Sequence, residues 1–285
     1  MYSNEAEMKE LFDQVSYECS KAVISKYSTS FSLGVRLLHK DFINPIRSIY
    51  GFVRLADEIV DSFHDYDKKE LLEGFVRDTE SAIKNGISLN PILNSFQQTV
   101  NKYDIDRELI DAFNRSMAMD LEKTNYKRDE FTDYLYGSSE VVGLMCLKVF
   151  CEGNRELYGS LKDSAMKLGS AFQKVNFMRD FKHDFQYLGR YYFPELSDAG
   201  FNEKTKRNIE ESIEREFEEG YAGVMKLPKK ARFGVYLVYI YYQRLFNKIK
   251  GLPAENVLQS RVRISNWQKF FLLARSYVRH SLNLI

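Results

Sequence analysis

Apolar residues recur at steps of three and four through most of the chain, and sustained alternation of apolar and polar positions is absent. This periodicity predicts helices over residues 4–26, 42–63, 67–85, 89–102, 106–121, 129–151, 155–186, 203–226, 229–250 and 264–281. Turn signals fall between them at Lys84-Asn85-Gly86, Glu152-Gly153-Asn154, Gly189 to Pro194, Asp198 to Asn202 and Gly251 to Pro253. There is no convincing strand, glycine-rich phosphate loop, low-complexity tract or long linker. The expected fold class is all-α, a single helical domain over residues 1–285.

Two predicted helices carry a polar stripe on an otherwise apolar surface. At about 100° per residue, Tyr50, Arg54, Asp57 and Asp61 fall within roughly 60° of one another, and Gln173, Asn176, Asp180 and Asp184 within roughly 80°. Like charges at i,i+4 cost a few tenths of a kcal/mol on an isolated helix. The arrangement occurs twice, each time just after an arginine (Arg54, Arg179), which suggests that something positive sits between the pairs. The spacing alone is common: Asp61/Asp65, Glu210/Glu214 and Glu214/Glu218 share it, and the run Glu210, Glu211, Glu214, Glu216, Glu218, Glu219 reads as a solvated face with Lys and Arg mixed in. The two chosen pairs differ in being hemmed by Phe52, Val53, Leu55, Ile59 and Val60, and by Phe172, Val175, Phe177, Met178, Phe181 and Phe185. Carboxylates in such surroundings are hydrated, paired or metal-bound, because an unpaired buried charge is prohibitive.

Composition narrows the function classes. A net charge of +1 with both signs scattered argues against a nucleic-acid partner, which needs a clustered basic face. Cys19, Cys146 and Cys151 cannot all pair and have no zinc-ligand spacing, so reduced core thiols are expected. The N-terminal residues carry Glu5, Glu7 and Glu10 and lack a basic start and apolar run, so the cytoplasm is the expected compartment. The most apolar run, Phe233 to Phe246, is shorter than the ~20 residues that span a bilayer. It reads as a buried, tyrosine-rich helix.

Magnesium commonly joins one or two carboxylates to substrate phosphates, and an arginine takes phosphate oxygens in a bidentate fork. Two facing Asp pairs with Arg54, Arg179, Gln173 and Asn176 alongside therefore suit a metal-bound diphosphate, with the ion drawing charge from the leaving group as the C–O bond breaks. An allylic cation left behind needs a dry cavity with aromatic faces, which nineteen Tyr and twenty-one Phe can supply. For most of these rings core packing is the ordinary role.

The wording of these segments is more specific than their spacing. Tyr50-Gly-Phe-Val-Arg54-Leu-Ala-Asp57-Glu-Ile-Val-Asp61 and Leu168-Gly-Ser-Ala-Phe-Gln173-Lys-Val-Asn176-Phe-Met-Arg179-Asp180-Phe-Lys-His-Asp184 resemble the two signature segments of the squalene/phytoene synthases. Gly189-Arg190-Tyr-Tyr192-Phe-Pro194 is similar to the segment that follows in that family. Ser28-Thr-Ser30-Phe31 with Arg36-Leu-Leu resembles its N-terminal flap, Tyr134 to Met145 its central helix, and Tyr242 and Arg261-Val-Arg263 its C-terminal part. The likeness runs from about residue 20 to 275. It implies an all-α isoprenoid-synthase fold and head-to-head condensation of two prenyl diphosphates through a cyclopropylcarbinyl diphosphate. By position, Asp57, Asp61, Asp180 and Asp184 would hold Mg²⁺, or Mn²⁺ in its place, helped by Asn176. Ser28, Ser30, Arg54, Gln173, Arg179 and Arg190 would contact diphosphates, and Tyr50, Tyr192 and Tyr242 would orient phosphate or face cations. Without the family, Ser28 and Ser30 read as helix caps and Arg190 as the partner of a surface acid.

Two departures stand out. The family's small Ala-Gly pair in the central helix is Ser139-Glu140 here, and Arg190 lies six residues beyond Asp184, one more than the family spacing. The local wording resembles bacterial phytoene synthases most, implying geranylgeranyl diphosphate as substrate, phytoene as product and no nicotinamide cofactor. The alternative is squalene or dehydrosqualene from farnesyl diphosphate; a catalytically silent helical scaffold is the rival of another class. The basic, apolar segment from Trp267 to Ile285 either packs on the core or rests on the inner membrane face as a peripheral contact. Oligomeric state is not legible in the chain.

Overall fold

Asp67 and Gly86 show how local chemistry sets the helix ends. The Asp67 side chain accepts from the Glu70 N–H to start one helix, and Gly86 closes it in the left-handed region at φ 70°. In the next, Asn90 accepts from the Ile92 and Leu93 N–H groups, and Pro91 takes the first position, where no N–H is missed. The fold is given by a computed structural model describing residues 5–187, 189–196, 200–259 and 261–282. Leu188, the side chain of Phe185, the Asp198 end of the loop before residue 200 and the tail beyond Leu282 lie outside the described residues.

The helices are α1 (Glu5–Tyr27), α2 (Thr29–Arg36), α3 (Lys40–Ser62), α4 (Lys68–Asn85), α5 (Pro91–Tyr103), α6 (Arg107–Glu122), α7 (Arg128–Leu135), α8 (Val141–Cys151), α9 (Arg155–Tyr187), α10 (Glu203–Val224), α11 (Lys229–Lys250), the short α12 (Ala254–Val257) and α13 (Asn266–Ser281). Among the described residues there is no strand, only an isolated bridge between Asn125 and Tyr191. None of the described helices is long and apolar enough to cross a membrane. Pro45 lies inside α3 and cannot donate to the Asp41 carbonyl; the Tyr103 hydroxyl does so instead, at 3.3 Å.

Two apolar clusters form the core. One joins α3, α4, α5, α6 and α8, with Phe52 stacked on Phe96 at 3.9 Å; the other joins α9, α10 and α11 around Phe217 and Phe246. Phe31 of α2 packs against both, and a cavity of about 940 Å³ opens between them. The predicted helix over 129–151 is interrupted by a π-turn, Tyr136–Glu140, whose widened backbone places Ser138 and Ser139 on the cavity wall. Neighbouring helices grip this turn: a Cβ on Gly137 would meet the Ala112 carbonyl at 2.5 Å, and one on Gly169 the Ser139 carbonyl at 2.8 Å.

The acidic run of α10 keeps Glu211, Glu218 and Glu219 on the solvated face expected for it but departs at two positions. Glu210 is buried with Lys206, and Glu216 is nearly so, accepting from Lys174 of α9 at 2.6 Å. A lysine one turn earlier and another across the helix interface supply the charges that permit this burial. The Phe233 to Phe246 stretch is a buried part of α11, as its length predicted, with Tyr236, Tyr239, Tyr241 and Tyr242 inside.

Candidate active site

Helices α3 and α9 turn their polar stripes to the same cavity, whose wall includes Tyr50, Arg54, Asp57 and Asp61 from one and Gln173, Asn176, Arg179, Asp180 and Asp184 from the other. The cavity is polar there and apolar in its depth, where Leu38, Ile46, Val142, Leu147, Phe150 and Leu161 line it. Ser28, Tyr192 and Tyr242 also line it; Ser30 and Arg190 do not. Ser28 caps α2, accepting from the Phe31 N–H at 3.2 Å. It thereby fixes the entry of Phe31 into the cavity.

The carboxylates do not stand alone. Asp57 and Glu58 both accept from Arg54, whose guanidinium also lies 4.3 Å over the Tyr27 ring. Asp180 accepts from Arg179 Nε at 3.1 Å and from Arg261 Nε at 2.6 Å, and Asp184 is 3.5 Å from His183 Nδ1. Asp61 accepts from Arg190 at 2.9 Å. Arg190, 8% exposed, is held from below: it donates to the Asp120 backbone carbonyl at 2.7 Å, and its guanidinium is 3.9 Å from the Asp120 carboxylate. Tyr126 and Tyr134 donate to the two Asp120 oxygens at 3.1 and 2.9 Å. Arg190 is therefore placed beneath Asp61 rather than free at the mouth.

Electrostatics follow from this crowding. Burial, and then the neighbouring Asp61 charge, raise the Asp57 pKa, while Arg54 opposes both. Asp184 is raised by burial and by Asp180, with a further contribution from Asp61 that ties the two stripes together electrostatically. Burial pushes Asp120 up to about 7 against the pull of Arg190. Tyr50 rises to about 12 and Tyr192 well above its ordinary value, both mainly by desolvation. These hydroxyls stay protonated, and that of Tyr192 accepts from Arg190 at 3.4 Å.

Rings surround the space between the stripes. Phe172 stacks on Tyr242 at 4.2 Å and Phe31 meets Tyr242 edge-on at 5.9 Å, while on the other side Tyr192 stacks on Phe177 at 4.0 Å and Tyr134 lies 5.4 Å from Tyr192. Their negative faces suit a passing carbocation. Tyr242 also donates to Asn176 Oδ1 at 3.1 Å, and Asn176 Nδ2 to Gln173 at 3.3 Å, which sets the amide with its oxygen toward the hydroxyl.

The donor set of carboxylate and amide oxygens suits a hard divalent ion. Among the described residues no three acidic, histidine or cysteine side chains gather into a ready cage. An ion held here would need waters or substrate phosphate to complete its shell. Arg54 Nε and Ser138 Oγ, both on residues lining the cavity, are buried without a partner, so donor capacity is unused there.

Asp120, Tyr126 and Tyr134 escaped a reading based on stripes. Asp120 has no acidic partner one turn before or after it on a helix of mixed charge, and only its burial reveals it. The Ser139-Glu140 departure resolves as two environments. Ser139 lines the cavity, whereas Glu140 lies outside its wall, raised to about 7 by burial with Lys167 opposing.

Residues 24–268 match the squalene/phytoene synthase family. The chain belongs to that family. Among its relatives, the chloroplastic phytoene synthase of Cucumis melo is 27% identical over 283 residues, covering 92% of this chain and 66% of the relative. The chain thus spans just under two thirds of that plant relative's length. The phytoene synthase of Arthrospira platensis is 24% identical, with 93% of both chains covered. A crystal structure of a dehydrosqualene synthase with ligand superposes with a TM-score of 0.79 at 19% identity, covering 94% of this chain and 98% of the other. The fold is that of the isoprenoid synthases.

Proposed function

We propose that this squalene/phytoene synthase family member condenses two molecules of geranylgeranyl diphosphate head to head to phytoene, in the cytoplasm. The observation that carries the proposal is one cavity with two arginine-backed carboxylate stripes at its polar end and aliphatic walls in its depth. Its volume of about 940 Å³ lies at the upper end of the usual range for ligand sites, as long prenyl chains require.

Asp57, Asp61, Asp180 and Asp184, with the Asn176 oxygen, would hold Mg²⁺ or Mn²⁺. When bound, the ion supplies Lewis-acid withdrawal of charge from the diphosphate oxygens. Arg54, Arg179 and Arg261 hold the diphosphate as the bond to the allylic carbon breaks and the electron pair leaves with oxygen. The cation remains between Phe31, Tyr50, Phe172 and Tyr242 until the double bond of the second substrate captures it. Proton loss then closes the cyclopropylcarbinyl diphosphate. A second departure of diphosphate, rearrangement and proton loss give the hydrocarbon without a reductant, so no nicotinamide cofactor is needed.

A second reading uses farnesyl diphosphate, giving squalene or dehydrosqualene. It is favoured by the presqualene diphosphate synthase of Rhodopseudomonas palustris, 28% identical over 168 residues. The test is incubation of purified protein with Mg²⁺, with and without NADPH as the hydride donor that squalene formation requires, and labelled geranylgeranyl or farnesyl diphosphate, followed by hexane extraction. Labelled phytoene from the C20 substrate is expected. A C30 hydrocarbon selects the second reading, and no hydrocarbon from either substrate overturns both, leaving the silent scaffold.

A further inference from the structure

The C-terminal part of the chain differs in charge and exposure from everything before it. Residues 256–285 hold five lysines and arginines and no Asp or Glu, so the remainder carries −4 against +1 for the whole. One side of α13 packs on α11: His280 stacks on Phe233 at 4.5 Å, Ser276 is buried, and Tyr241 donates to the Lys269 carbonyl at 2.9 Å. An adjoining, exposed side presents Trp267, Phe270 and Phe271, 83%, 65% and 67% exposed, together with Val278. Between α11 and α13 runs a groove of about 590 Å³ whose wall includes Trp267, Phe271, Arg244 and Arg275. Among the described residues neither arginine is ion-paired.

We propose that this face of α13 docks on an anionic lipid bilayer, with the aromatic side chains entering the headgroup boundary and Arg244 and Arg275 taking lipid phosphates. An apolar face with a tryptophan, flanked by cations without acidic partners, matches an interfacial helix. A second copy of the chain would bring the same cations against one another, which disfavours self-association through this face. The position has a consequence for the cavity. Arg261, just before α13, lines the mouth, and Lys269 donates to Thr29 at the start of α2, whose Phe31 enters the same space. Docking sets the mouth close to the phase that dissolves prenyl chains. The inference draws that purpose from the proposed reaction, but its readout needs no substrate.

Trp267 is the only tryptophan of the chain, so its fluorescence reports this face directly. Whole protein is titrated with vesicles of phosphatidylcholine alone or with phosphatidylglycerol added. The expected result is a blue shift and quenching by acyl-brominated lipid with the anionic vesicles, weakened in high salt. Arg244→Gln and Arg275→Gln are each expected to weaken vesicle affinity about fivefold. Unchanged emission with anionic vesicles overturns the proposal, as does a shift that follows protein concentration without lipid, which would mark a protein interface. Docking without hydrocarbon synthesis would sink the proposed reaction alone, and synthesis without docking this inference alone.

Discussion

The two acidic stripes look alike in sequence but are supported differently. Asp61 rests on an arginine that is itself buried, anchored to the Asp120 carbonyl and backed by a carboxylate with two tyrosine donors. Asp180 is met by its neighbour Arg179 and by Arg261, which is 51% exposed and comes from the segment before α13. Asp61 has a buried counter-charge in Arg190, whereas Asp180 has one partly buried arginine, Arg179, and one that solvent reaches, Arg261. Buried charge networks lose heavily when one member is removed, whereas exposed pairs contribute little to stability. Asp61 thus has a fixed support in Arg190, and Asp180 an adjustable one in Arg261.

That contrast can be broken most strongly at Arg190. Arg190→Met leaves Asp120 buried without its counter-charge, and a loss of about 3 kcal/mol is expected, read as a lower denaturant midpoint. A loss below 1 kcal/mol would show that the α3 stripe has no buried support. Next in size are the carboxylates proposed to hold the metal. Asp57→Asn and Asp180→Asn are each expected to lower turnover on the order of 10²-fold with the melting temperature kept, because removing like charge on a helix does not destabilise it. Near-normal turnover would remove that aspartate from the site.

The exposed counterpart should behave otherwise. Arg261→Met is expected to change stability by no more than about 0.5 kcal/mol while raising KM for the prenyl diphosphate about tenfold, the worth of one charge-assisted contact. Equal stability losses for Arg190→Met and Arg261→Met would erase the distinction between the stripes. The smallest effect concerns Glu140, raised from 4.5 to about 7 by burial. The native state keeps this proton up to about pH 7, whereas the unfolded chain loses it near 4.5, so stability falls as pH rises through that window. Glu140→Gln should match wild type near pH 4.5 and exceed it by about 1 kcal/mol at pH 8, measured by urea unfolding. A difference independent of pH would contradict the burial.

Long helices were legible because their apolar positions repeat over many turns. The predicted 229–250 coincides with Lys229–Lys250, and 203–226 overruns Glu203–Val224 by two residues. Helix α2 has eight residues, too short for a period to register, and only Ser28 as cap announced it. The π-turn is invisible in a 3.6-residue pattern; it depends on close approach at Gly137 and Gly169, which is a tertiary property. The stripes declared themselves because like charge was repeated on apolar helices. Asp120 did not, since its partners Tyr126, Tyr134 and Arg190 come from three other segments. Burial of Glu216 was hidden for the same reason, Lys174 lying on a different helix, whereas Glu210 pairs with Lys206 one turn earlier on its own helix, a spacing that an exposed pair shares.

The central claim is that both stripes serve one metal-bound diphosphate. Crystals soaked with Mn²⁺ and a thio-substituted prenyl diphosphate test it through anomalous scattering. Manganese is predicted at the mouth, ligated by aspartates of both α3 and α9 with the diphosphate between them; ions on one helix alone, or none, would contradict the account.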